Sequence, residues 1–535
     1  MNRLAAAAAI LVLTLLNYFQ FPGHTYLQSD TQIYVPILEH LWGPSTLRNE
    51  MLVVRPHVTF TFYDESAMAL RKLTGWGFRE VLEAQQLVFR GLGIWGIYLM
   101  ATAAGLTLWP AVLVAAMVAL GATIGGPSVL IFEYEPVPRS FAVPLLYLGT
   151  GLASHGRYLA AGTAGAAAFL IHPPSIWPFW GVFLVLAIWR RNWTGVLPLL
   201  CAAVLLFVSS RLQTGVGEAQ DFFTRLYPLQ EELQRMRASY VWVSMWWRNW
   251  WLHYIALWWL SVVAYWRLRR KTTVELKFFM IGLPLAGALS VPLSYVLLER
   301  VKWALMPQLQ PLRALLFVTL IAVFSAAVAG CKAAQQKRFV EAFVWFALAY
   351  MVPTNTRLLA LPSWNRTLVI CVLAIAATFA IGAELRRHWA ALAVAACAIG
   401  AFFLIPILGK VTNYPKLHLP EIAQLAAWAK TSTPKDAVFL FPDAGRELYP
   451  GIFRAEALRA VYVDWKGGGQ VNYLKELGEL WWQRWQQAMA EPLDPADSAR
   501  FRALGIDYIV TLPKNRLPGE RPAFENAGYA VYRLR

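Results

Sequence analysis

About thirteen apolar runs fill the first 410 residues of the chain, most of them set apart by short clusters of arginine and lysine. They lie at 4–18, 86–105, 109–131, 140–155, 158–171, 174–189, 194–210, 246–265, 276–297, 313–331, 339–353, 366–383 and 389–408. A helix of about 20 apolar residues crosses the hydrocarbon core of a bilayer. Composition agrees: 58% of residues are apolar and 15% charged, against about 45–50% and 25% in soluble domains. These features predict a polytopic α-helical membrane protein. They exclude a simple secreted enzyme, a coiled coil and a disordered chain.

The formal charge is +17, but its distribution argues against nucleic acid as a partner. With the N-terminus in the cytoplasm, Arg157, Arg190-Arg191, Arg267 with Arg269-Arg270-Lys271, Lys337-Arg338 and Arg386-Arg387 all fall on the cytoplasmic side. That is the positive-inside pattern. Segments 21–85, 132–139, 172–174, 211–245, 298–312, 354–365 and the tail then lie outside. The first run lacks a small-x-small cleavage site before Asn17-Tyr18-Phe19-Gln20, so it is expected to be a retained span. Cys201, Cys331, Cys371 and Cys397 sit in or beside apolar runs without metal-ligand spacing and read as small core residues. The alanine- and arginine-rich composition without disulfides points to a bacterial inner membrane.

Residues 1–410 are therefore expected to form a transmembrane domain with a long first outer loop, 21–85, and residues 411–535 a soluble α/β domain on the periplasmic side. In the tail, Glu421–Ala429 has the pattern of an amphipathic helix. Residues 437–441, 460–463, 508–510 and 530–532 read as short strands.

The first outer loop carries Gln28-Ser29-Asp30-Thr31-Gln32-Ile33-Tyr34, Arg55-Pro56-His57 and Tyr63-Asp64-Glu65. An acidic residue soon after the first span, in a long loop of short helices, resembles the GT-C superfamily of integral-membrane glycosyltransferases. So do the number of spans, the outer C-terminal domain, Thr433-Pro434-Lys435-Asp436-Ala437-Val438-Phe439 and Leu504-Gly505-Ile506-Asp507-Tyr508-Ile509-Val510. The resemblance implies transfer of a sugar from a polyprenyl-phosphate donor to an extracytoplasmic glycan, lipid or protein, with inversion and a carboxylate general base in the first outer loop.

On that reading Asp30 is the catalytic base; the bland alternative is that Ser29 or Asp30 caps a helix over 32–41. Asp64 and Glu65 open a helical stretch over 66–73, where helix capping or stabilisation of the helix dipole competes with a site role. Glu133-Tyr134-Glu135-Pro136-Val137-Pro138-Arg139 offers a second acidic motif, or simply a Glu–Arg ion pair. Mg²⁺ or Mn²⁺ remains open as a cofactor. Arg313, Arg139 and Arg55 are candidates for the donor phosphate, Arg313 alternatively being a snorkelling side chain; Arg300 and Lys302 are weaker ones. His57 and His172 are candidate substrate contacts. The 211–245 segment reads as an amphipathic surface helix leading into an aromatic belt, and Gly467-Gly468-Gly469 as a flexible turn. Arg90 stands out as a charge within an apolar run. Two other functions stay open: a transporter or lipid flippase, against which no internal repeat is evident, and a non-catalytic assembly protein on the same scaffold.

Overall fold

A computed structural model describes residues 2–54, 61–127, 129–212, 223–354, 362–489 and 498–534. Each of the thirteen expected spans contains a helix, from Asn2–Phe19 to Arg387–Ile407. Four helical stretches are long and apolar enough to cross a membrane: Val274–Arg300, Met306–Gln335, Trp364–Gly382 and His388–Ile407. The protein is a multi-pass membrane protein with a small C-terminal sheet. One expected span is cut short. The run 109–131 is helical only over Leu108–Ala119, and strands β1 (Thr123–Ile124) and β2 (Val129–Leu130) pair antiparallel beyond it. Gly121 and Gly126 adopt positive φ there, a conformation that ends a helix at little cost for glycine.

Contacts divide the chain into two compact units. The first takes in Met1–His24, Glu83–Val208 and Tyr240–Asn413; the second takes in Thr25–Leu82, Ser209–Ser239 and Tyr414–Arg535. The sheet unit thus contains most of the first loop, which chain order alone assigned to the membrane part.

In the helical unit, helix Leu315–Gln335 is apolar on every face and is buried from Leu315 to Ala334. A helix without a polar face belongs inside a bundle. It packs against Arg248–Leu268, Val274–Ser294 and Phe339–Thr354. Small residues permit the close approaches such bundles need. At Gly96, for example, a Cβ would lie 2.3 Å from the Tyr147 backbone carbon.

In the sheet unit, strands β3 (Val438–Leu440), β4 (Ala460–Val461), β5 (Tyr508–Thr511), β6 (Phe524–Glu525) and β7 (Ala530–Arg533) form a sheet in the order β4-β3-β5-β7-β6. The β3 strand is parallel to β4 and β5, and β7 is antiparallel to β5 and β6. Helix Pro420–Ser432 covers the expected amphipathic segment. Gly467–Asn472 is a 3-10 helix rather than a flexible turn, with Gly468 packed so closely that a Cβ would meet the Trp481 ring at 2.5 Å. Helix Pro228–Arg237 packs on that segment and on helix Lys475–Met489, and its Arg237 guanidinium stacks 3.7 Å from the Trp465 ring centre. Its buried Leu233 belongs to the hydrophobic core of the sheet unit, the inner face of the amphipathic helix expected here.

The sheet unit is organised around a buried charge. Arg454, fully inaccessible, donates to Asp464 Oδ1 at 2.9 Å and to the Gln32 carbonyl at 3.2 Å, with Glu50 Oε2 at 3.9 Å. Glu50 accepts from the Val461 and Leu52 amides, and Asp464 from the Gly467 amide. Burial pushes the Glu50 carboxyl up from its ordinary range, and Arg454 opposes that shift. Removing one member of such a network leaves the others buried and uncompensated. Arg454→Met is expected to destabilise this unit by about 3–5 kcal/mol. The triple variant Arg454→Met, Glu50→Gln, Asp464→Asn should recover part of the loss, as read by denaturant unfolding followed through tryptophan fluorescence.

Candidate active site

Asp30 precedes helix Thr31–Trp42 with αR backbone angles, and its side chain makes no capping hydrogen bond. Its carboxylate accepts instead from the Lys466 ammonium at 2.5 Å. Lys466 also donates to Ser29 Oγ at 3.0 Å. The carboxylate is 28% exposed, so it is reachable from solvent. Asp30 thus occupies the N-cap position without a side-chain capping bond and is a salt-bridged, accessible carboxylate at the head of a helix whose next residues, Thr31, Gln32 and Ile33, are buried. Thr31 Oγ1 accepts from the Leu27 amide and Gln32 donates to the Leu27 carbonyl, which hold the turn before Asp30. Lys466 gave no signal in the sequence beyond its place before three glycines.

Asp64 and Glu65 lie in the first turn of helix Tyr63–Thr74. Asp64 is buried, and burial first, then the neighbouring Glu65, push its carboxyl up to about 8. At neutral pH Asp64 is then mostly protonated. A neutral acid does not stabilise the helix dipole as an anion would, but it can donate a proton or a hydrogen bond. Arg55 and His57 lie outside the described residues.

In the helical unit a second set of polar groups converges. Glu133 pairs with Arg139 at 2.5 Å, as the ion-pair alternative had it, and both line a small cavity together with Ser140, Ser175 and Arg313. Arg313 sits on the 3-10 turn Pro311–Ala314, and its Nε donates to Gln310 Oε1. His172 Nδ1 is 2.8 Å from Ser175 Oγ, so it reaches the cavity wall through that hydroxyl. Glu135 is buried, 1% exposed. Among the described residues Arg300 and Lys302 do not line the cavity; Arg300 donates to the Tyr295 hydroxyl at 2.5 Å.

Arg90 is what places the Glu133 loop. Buried in helix Phe78–Ala103, it donates to the Asn17 carbonyl and Oδ1, both at 3.0 Å, to the Gly23 carbonyl at 2.9 Å and to the Glu133 carbonyl at 2.7 Å. Gln86, one turn earlier, donates to the same Glu133 carbonyl at 2.9 Å. These donors leave the Glu133 side chain to Arg139. Two polar side chains four residues apart within an apolar run are a signal that the sequence did carry.

No group of three histidine, cysteine, aspartate or glutamate side chains comes together among the described residues. The set Asp30, Lys466, Ser29 and the set Glu133, Arg139, Arg313, Ser175 belong to different units.

A family model described as a domain of unknown function (DUF6798) matches residues 420–488. No curated protein matches the sequence. Among solved structures, ArnT from Cupriavidus metallidurans in the apo state is 13% identical, with a TM-score of 0.50 over 99% of this chain and 97% of that one. ArnT from the same organism bound to undecaprenyl phosphate is 16% identical, with a TM-score of 0.41 over 99% and 97%. The arabinofuranosyltransferase AftD from Mycobacteria is 15% identical, with a TM-score of 0.44 over 99% of this chain and 39% of that one.

The pH dependence follows from Asp64. Its folded pKa lies above the unfolded value, so the fold takes up a proton there. That contribution is fully present below about pH 3.8 and is lost as pH rises through about 8. The protein should therefore be less stable at pH 8.5 than at pH 5, and Asp64→Asn should flatten part of that slope, Glu50 contributing in the same sense. Thermal unfolding of both proteins in detergent at the two pH values checks this. The likeness to apo ArnT extends over nearly the whole of both chains, and it establishes that this chain shares the fold of ArnT.

Proposed function

We propose that the protein is an inverting membrane glycosyltransferase that moves a sugar from a polyprenyl-phosphate donor to an extracytoplasmic acceptor. The acceptor is a hydroxyl-bearing glycan, lipid or protein. The observation that carries this reading is the state of Asp30: accessible, not engaged in capping, and held by the turn at Leu27–Thr31. ArnT, whose apo form shares the fold, has also been solved bound to undecaprenyl phosphate, a lipid of the class proposed for the donor.

In the proposed reaction Asp30 takes the proton of the acceptor hydroxyl, with Lys466 yielding its place at the carboxylate. The acceptor oxygen attacks the anomeric carbon from the face opposite the phosphate. The bond from that carbon to the phosphate oxygen breaks, and polyprenyl phosphate leaves as an anion without need of an acid. Arg139 and Arg313 are assigned to the phosphate because guanidinium forks bind phosphate oxygens in pairs; Arg55 is a third candidate. Glu133 orients Arg139. Glu135, Asp64 and Glu65 remain candidates for a second acidic site, Asp64 as a hydrogen-bond donor. His57 and His172 are proposed substrate contacts. No three carboxylate, histidine or cysteine side chains group together among the described residues, and no step is assigned to a metal. The proposed setting is a bacterial inner membrane with the N-terminus cytoplasmic and residues 411–535 periplasmic, which supports an acceptor outside the cytoplasm.

Asp30→Asn keeps an oxygen for Lys466 but cannot take a proton. It is expected to fold and insert normally and to transfer labelled sugar from a polyprenyl-phosphate donor about 10²–10⁴-fold more slowly. Wild-type turnover by the purified variant would remove Asp30 from catalysis. Arg313→Ala is expected to weaken donor use by about tenfold or more, since a hydrogen bond to a charged group contributes about 1.5–3 kcal/mol. Arg313→Lys should recover only part, keeping charge without the fork. Donor titrations of the three proteins separate these outcomes.

A further inference from the structure

We infer that the helical unit carries a binding site for an anionic glycerophospholipid, separate from the cavity of Glu133 and Arg313. The site is a groove of about 860 Å³ between helices Asn2–Phe19 and Phe78–Ala103. Its floor is apolar and built from small and aliphatic side chains, among them Ala6, Ala7, Ile10 and Leu92, with Gly91 and Thr14 at the point where the two helices approach closely. Trp95 and Tyr98 form part of its wall. Two arginines, Arg3 and Arg157, also line it.

Both arginines belong to one end of the groove. Near the start of the first helix stands Arg3; further along it Thr14 lies beside Gly91 and the Tyr18 hydroxyl donates to the Glu83 carbonyl at 3.1 Å, so the helices run antiparallel and Arg3 faces the Tyr98–Leu99 end. Arg157 lies two residues after His155, whose Nε2 is 3.0 Å from the Leu99 carbonyl. Among the described residues neither Arg3 nor Arg157 has a carboxylate partner, although the exposed Arg190 and Arg338 do. An apolar trough on a membrane protein with two unneutralised guanidiniums at one end is complementary to a lipid with an acyl chain and a phosphate headgroup. The volume falls within the range of ligand pockets, about 300–1,000 Å³. On the proposed topology this end faces the cytoplasm, where anionic headgroups attract juxtamembrane arginines.

The test uses the full-length protein in detergent, titrated with phosphatidylglycerol, phosphatidylcholine or undecaprenyl phosphate and read by native mass spectrometry. Retention of phosphatidylglycerol over phosphatidylcholine is expected. Arg3→Gln and Arg157→Gln should each weaken it by about fivefold, the effect of one basic residue near an anionic lipid surface. Ala7→Trp, at an exposed position of the groove, leaves both arginines in place and should reduce retention by blocking the chain. Equal retention of both phospholipids, or phosphatidylglycerol retention unaltered in the double arginine variant and in Ala7→Trp, would overturn the site. Undecaprenyl phosphate displacing phosphatidylglycerol with sensitivity to all three substitutions would overturn the choice of occupant. Because Asp30, Arg139 and Arg313 are untouched, sugar transfer in detergent should be unchanged in these variants, which separates this inference from the proposed catalytic reading.

Discussion

The guanidinium of Arg90 sets much of the helical unit's polar architecture. A charge inside a membrane protein is costly unless its hydrogen bonds are met within the fold. Here one side chain meets the Asn17 carbonyl and side chain, the Gly23 carbonyl and the Glu133 carbonyl. Asn17 in turn donates to the Ala119 carbonyl at 2.5 Å, where helix Leu108–Ala119 ends. Three places where the backbone leaves helical geometry are thus joined through one donor set. The cavity of Arg139 and Arg313 follows from this, because the loop that presents Glu133 is held by its own carbonyl.

The sheet unit repeats the principle with different partners. Arg454 meets Asp464, Gln32 and Glu50, which come from segments far apart in the chain. Asp464 precedes Lys466 by two residues, and Gln32 follows Asp30 by two. Anchoring Asp464 and Gln32 to one guanidinium therefore places Lys466 opposite Asp30. The candidate base owes its position to a buried charge that takes no part in the proposed chemistry. Burial acts in the same sense at both carboxyls: at Glu50 Arg454 lessens the upward shift, whereas at Asp64 the neighbouring Glu65 adds to it and the carboxyl holds its proton to about pH 8.

The elements were legible where they depend on short-range pattern. Apolar runs located the helices, and strands near 438, 460, 508 and 530 stood out by β-branched and aromatic residues between turns. The helix beginning at Thr31 was legible as well. The role of Asp30 was not, since Ser-Asp before an apolar run reads equally as a cap or as a site. The short helix in 109–131 was missed because hydropathy averages over Gly121, Gly125 and Gly126, whereas the backbone responds to each glycine separately. In sequence, Gly467-Gly468-Gly469 reads as a flexible turn because glycine is permissive in isolation. Gly468 packs against Trp481 and Arg237 so closely that a Cβ would clash there, within a 3-10 helix.

What the sequence determined by itself was where apolar helices run through most of residues 1–410 and where short strands fall in the tail. Hydrophobicity is a property of residues and needs no partner. What only the tertiary structure decided was the pairing of groups distant in the chain. Asp30 is followed by 435 residues before Lys466, Glu50 by 403 before Arg454, and nothing local selects one partner over another. Those pairings arise when burial removes water as the competing partner, so that each remaining charge is held by the group the fold brings beside it.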